Sequence, residues 1–191
     1  MDNMNHLKDL LRYDVQHLYS TEEQIIDALP AMMDKANDPG LKQALEQHLR
    51  VTELQLDRLD QVRQLFGEGD DSDNDTGIFS GIFGSDNKSK GIEGLIDEGQ
   101  KVMAVDMSPE VMDAAIIGCA QKIEHYEIAG YGTARTYAEQ LGLTDVAQLL
   151  QQTLIEEHDA DDRLTSLAVG NVNQRAEMRT NTDRPGSNTY R

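Results

Sequence analysis

The run QKIEHYEIAGYG, Gln121 to Gly132, carries two glutamates three residues apart inside an otherwise apolar helical pattern. Ile116, Cys119, Ile123, Glu127, Gly130 and Ala134 recur at the spacing of one helix face, and Glu124 flanks that face. Glu124 and Glu127 are one turn apart and can reach a common centre. An inward carboxylate is costly to bury, and several together repel one another.

The same pattern recurs in three other segments. Near the N-terminus Leu18, Glu22, Ile25 and Leu29 share a face, while Glu23 lies about 100° away, so Glu22 is the inward residue. In the second segment His48 falls between Leu45 and Thr52 on the apolar stripe. In the last, Leu150, Thr153, Glu157, Asp161, Leu164 and Leu167 align, and Glu157 with Asp161 forms a like-charged i, i+4 pair. Taken singly, each residue has a plain structural explanation: a boundary Glu reaching solvent, or a satisfied core His. Their joint occurrence near the middle of four helices points instead to a metal site, often a pair of metals in a four-helix bundle. The candidate ligands are Glu22, His48, Glu124, Glu127, Glu157 and Asp161. Oxygen donors with few His favour iron or manganese over copper, and the lack of thiolate clusters disfavours structural zinc. The Glu-x-x-His spacing of di-iron helices is absent: Gln55 stands three places after Thr52, and Ala160 three after Glu157.

The segments organise into one domain. Helices are expected over 3–35, 41–66, 92–105, 109–141 and from 144 to about 170. Pro30 should kink the first or cost it a bond, the 37–40 segment NDPG is a turn, and Gly67 and Gly142 are stops. Ser108 caps the third long helix, with Pro109 in its first turn, and Thr144 caps the fourth. Residues 67–90 are rich in Gly, Asp, Ser and Asn and read as a flexible insertion; its IFSGIF patch, 78–83, could meet the bundle or a protein partner. The alternation Asp71, Asp73, Asp75 fails as a calcium loop, since Ile82 stands at the twelfth position where a bidentate Glu is needed. Residues 179–191 read as a disordered tail. The fold class is therefore all-α, with a ferritin-type four-helix bundle over 1–178, one extra short helix, and a crossover between the second and third long helices.

Composition agrees. The 191 residues include no Trp, 38% are hydrophobic, and the formal charge is −18, which argues against binding nucleic acid or anionic membranes. Cys119 reads as a small buried hydrophobe. No secretory signal and no apolar run of membrane-spanning length is visible, so a cytoplasmic protein is expected.

The runs QKIEHYEIAGYGTARTYAEQLG and LLQQTLIEEHDADDRLTSLAVGNVN, with LYSTEEQIIDALPAM and HLRVTELQLDRLDQV, resemble the YciE/YciF family of bacterial stress-associated, ferritin-like proteins over about residues 5–66 and 88–178. The resemblance implies a ferritin-like bundle, a homodimer and a dinuclear metal site. It matches Glu22 to the Glu of the family's AEKQ motif, His48 to the His of its EHL motif, Glu124 and Glu127 to its EHYEIA motif, and Glu156 and Glu157 to its EE pair. This chain departs at Arg50 and Val51, where many members are acidic, and at Gln55, where His is frequent. The implied function is a non-haem metal protein acting on peroxide or oxygen under stress. The rival is a helical scaffold with a vestigial site.

Overall fold

A computed structural model describes residues 4–68 and 88–182. Among these every regular element is a helix: α1 (Leu7–Lys35), α2 (Pro39–Glu68), α3 (Lys90–Met103), α4 (Pro109–Gln140), α5 (Thr144–Leu167) and α6 (Asn173–Thr182), with a π turn over Ala168–Val172 joining the last two. The insertion expected at 67–90 lies largely outside the described residues, as do its 78–83 patch, its Asp alternation and the tail beyond 182. α2 runs through Gly67 to Glu68, and α6 runs through Thr182.

α1 packs on α2 and α4, and α5 packs on α4 and α2, which closes a four-helix ring. α1 and α2 are antiparallel across the Asn37–Asp38 turn. Asp113, at the start of α4, accepts the backbone N–H groups of Asn37 and Asp38 at 2.6 and 3.0 Å. α2 and α4 thus leave the same end of the bundle and run parallel. The chain must cross the bundle's length between them, and α3 lies along that crossover, packed on α4 and α1. This is the ferritin-type connection.

Local chemistry sets the helix ends. The Ser108 hydroxyl caps α4 by accepting from the N–H of Val111 at 3.4 Å. Gly142, at φ 72°, takes the left-handed turn that ends α4 and lets Leu143 N–H reach Ala138 C=O. The expected Thr144 cap is not formed: Leu143 holds the cap position and Thr144 is the first helical residue. Pro30 leaves α1 unbroken and lies on its exposed face, where water can serve the carbonyl left without a partner. Asp38 accepts from Leu41 N–H at 3.0 Å at the start of α2, and Arg175 of α6 donates to the same carboxylate.

The apolar interior is in two parts. One, around Leu11, Val15, Leu59, Val62, Tyr131 and Leu150, fills the end holding the α4–α5 turn. The other, around Ile25, Leu29, Leu41, Leu45, Ile116 and Ile123, fills the opposite end. Each such aliphatic side chain contributes roughly 1.5–3 kcal/mol on burial. Between them lies a polar layer, where Glu22, Thr52, Gln55, Glu124, Glu127, Thr153 and Glu157 are all buried.

Candidate metal centre

Each helix of the ring sends polar side chains into this layer: Glu22 from α1, His48, Thr52 and Gln55 from α2, Glu124 and Glu127 from α4, and Thr153 and Glu157 from α5. The carboxyls of Glu22 and Glu127 are fully buried, as is that of Glu157; Glu23 is exposed, as its 100° offset requires. His48, Glu124, Glu127 and Glu157 each bring one ligating atom to a common point, all within 4.8 Å of one another. His48 Nε2 stands 3.4 Å from Glu124 Oε1. Glu22 adjoins this group through Glu127, the two carboxyls lying within hydrogen-bonding reach. Glu124 and Glu157 form a similar contact. Of the six candidate ligands, Glu22 only adjoins the four and Asp161 stands clear of them. It sits one turn further along α5, where its Oδ1 accepts from Gln121 at 2.8 Å and its Oδ2 faces His125 at 3.4 Å.

Tyr131 and Arg58 join Gln55 in completing the layer. The Tyr131 hydroxyl, fully buried, donates to Glu22 Oε1. Gln55 donates to Glu157 Oε1 and, at 3.2 Å, to Glu156. Arg58 donates to Thr153 Oγ1 at 2.6 Å and forks onto both oxygens of Glu156 at 2.8 and 3.0 Å, tying α2 to α5. Tyr131 and Arg58 were not among the sequence candidates. Tyr131 follows Glu127 by four residues and so shares its face. Arg58 follows Gln55 by three and does the same on α2.

Burial pushes the carboxyls of Glu22, Glu124 and Glu127 well above their ordinary range, and the neighbouring Glu157 adds to the effect. Glu157 itself rises to about 7 through burial, partly offset by hydrogen bonds from its neighbours. Burial lowers His48 to about 4, so its imidazole is neutral at neutral pH. Without a cation, the layer is therefore a set of proton-sharing carboxyls around a neutral imidazole.

Set those shared protons aside, and Glu22 Oε2, His48 Nε2, Glu124 Oε2, both oxygens of Glu127 and Glu157 Oε2 have no hydrogen-bond partner. Each such orphan costs about 1–3 kcal/mol, more if charged. Four carboxyls and one imidazole with unused lone pairs fit a divalent cation of oxygen and nitrogen preference. Two such ions would balance all four carboxylate charges.

A four-helix ring with an α2–α4 crossover and a carboxylate–histidine layer across its middle defines a ferritin-like helical protein. Comparison then places it more narrowly. Residues 6–177 match the domain of unknown function DUF892, and the chain belongs to that family. It is 40% identical to Protein YciF of Escherichia coli K12 over 175 residues, 92% of this chain and 98% of that one. The crystal structure of the E. coli stress protein YciF aligns with a TM-score of 0.76 at 39% identity, covering 89% of this chain and 99% of that chain. YcfI of Rhodopseudomonas palustris, described as a structural protein, aligns at 0.74 with 34% identity, over 86% and 96%. No helix among the described residues is long and apolar enough to cross a membrane.

Proposed function

We propose that this chain holds one or two iron or manganese ions in the buried layer and acts on peroxide or oxygen under stress. Glu127, Glu157, Glu124 and His48 would be the ligands at the common point. Glu22 would join them from the side of Glu127, and Asp161 would act outside the ligand set. The observation that carries this reading is the group of buried carboxylate and imidazole atoms left without any donor. When bound, such a metal supplies Lewis acidity and a one-electron couple for turning over oxygen species.

The chain's own residues prepare the layer for that work. The Tyr131 hydroxyl donates to Glu22 Oε1 and fixes that carboxyl's orientation. Gln55 orients Glu157 from α2, and the Arg58–Glu156 fork locks the same helix pair. The apolar halves above and below exclude bulk water, which strengthens every charge interaction inside. The resemblance to the YciE/YciF family adds a cytoplasmic homodimer to the proposal. Light scattering on the eluting protein checks the dimer.

A second reading has one observation behind it. Gln55 and Arg58 partly satisfy the α5 carboxylates from within, as a scaffold's polar layer would. In that reading the layer fixes helix register and performs no chemistry. Peroxide consumption separates the two. Iron-loaded protein should consume peroxide, and Glu127→Gln should abolish the iron-dependent part. Turnover no faster than that of the same iron free in buffer would favour the scaffold.

A further inference from the structure

Between α2 and α5 the bundle wall contains a cavity of about 240 Å³. Its sides include Ala44, Val51 and Ala160, side chains too short to close the gap between the two helices. His48 and Glu124 form its inner end, and both belong to the convergent set. His48 is nine-tenths buried, and its Nε2 has no hydrogen-bond partner. Asp159, exposed, and Arg163, half-buried, stand at the outer end.

We propose that this cavity is the route by which a hydrated divalent cation reaches the buried layer, with His48 and Glu124 the first protein groups to replace its water. The inference rests on the metal-binding reading above and adds the path and its order of contact. Volume permits it: at about 30 Å³ each, several waters can accompany an ion into the space. Charge favours it too. The formal charge of −18 concentrates cations around the protein, and at the mouth the exposed Asp159 carboxylate offsets the half-buried Arg163 guanidinium, so reversing Asp159 would leave the mouth positive. Glu156, which also lines the cavity, is engaged by Arg58 and offers less. At the inner end, the unpaired imidazole nitrogen and Glu124, which would release its proton to water, would be the first to hold the ion, ahead of Glu127 and Glu157.

The test is stopped-flow uptake of cobalt(II) by the full chain, read from its ligand-field absorbance, with cobalt per chain measured at saturation. Ala160→Phe fills the passage, and Asp159→Lys reverses the charge at its mouth without touching the interior. Both should slow uptake about tenfold at low salt while leaving cobalt per chain at the wild-type value, and the Asp159→Lys effect should fade as salt is raised. Wild-type rates in a folded Ala160→Phe protein would overturn the route. Should that variant misfold or lose capacity, a wild-type rate for Asp159→Lys at low salt would overturn it. A wild-type protein that takes up no cobalt would overturn the metal-binding reading and the route with it, whereas full capacity reached at unchanged rates removes the route alone.

Discussion

His48 Nε2, on α2, faces Glu124 Oε1, on α4, across 3.4 Å, and burial favours the uncharged form of both groups. Their separation is long for a hydrogen bond. An acid and a base so placed, with His48 Nε2 and Glu124 Oε2 both lacking a hydrogen-bond partner, are organised for something between them. In the metal-free protein the layer can avoid buried charge only by keeping its protons.

That condition sets a pH dependence. Glu22, Glu124 and Glu127 are held well above their ordinary 4.5 and Glu157 at about 7, so the metal-free folded state binds more protons than the unfolded chain above pH 4.5. The stability these groups contribute is present at low pH and lost as pH rises through 7 and beyond. His48 acts the other way, but only between its folded value of about 4 and its ordinary 6.5. Above about pH 6.5 the carboxyls act alone, so the Tm of chelated protein should fall from there to about pH 8.5. Metal binding displaces the same protons and tightens over this range. The gap between loaded and chelated Tm should therefore widen with pH. Parallel curves would argue that the cation binds elsewhere.

Glu157→Gln separates charge from shape. The amide keeps an oxygen to accept from Gln55 but cannot ionise among Glu22, Glu124 and Glu127. The chelated variant should be more stable than wild type at about pH 8 by about 1–2 kcal/mol, while its metal affinity falls about tenfold or more. Urea melts and metal titrations of the two proteins measure both. Equal stability shifts with and without metal would remove Glu157 from the ligand set.

The layout of helices was readable because the apolar spacing is sustained, and inward carboxylates broke that spacing at only one or two positions on α1, α4 and α5. Glu22, Glu127 and Glu157 stood out because a charged residue among Leu, Ile and Ala at helical spacing has nowhere else to point. Asp161 followed the same logic too far. Four residues advance a helix by about 6 Å, so a side chain on the right stripe stands a full turn from the centre. There it serves Gln121 and His125 instead. Tyr131 and Arg58 were hidden for the opposite reason. A Tyr on an apolar face looks like core, and an Arg three residues after Gln55 looks like a solvent residue until its partners on α5 are known. Thr144 has the right chemistry for a cap, but the left-handed Gly142 sets the chain one residue early, which puts Leu143 there.

Tyr131→Phe tests the outer edge of the layer. Removing the hydroxyl takes from Glu22 Oε1 its tyrosine donor in a fully buried place. The chelated protein should lose about 1–3 kcal/mol of stability. A bound cation can engage the freed carboxylate, so the loss should shrink in loaded protein. Denaturation of both forms measures the difference. An equal loss in both would mean that Glu22 has no part in holding the ion.

The central claim is that the buried layer holds metal, and metal content tests it most directly. Protein purified without chelator, then titrated anaerobically with ferrous iron, is assayed for metal by plasma mass spectrometry beside a Glu127→Gln, Glu157→Gln double variant. The account predicts one to two ions per wild-type chain and a near-complete loss in the variant. It also predicts that a hundredfold excess over the dissociation constant stabilises wild type by about 2.7 kcal/mol. No metal in the wild type after iron addition, or equal metal in the variant, would contradict it.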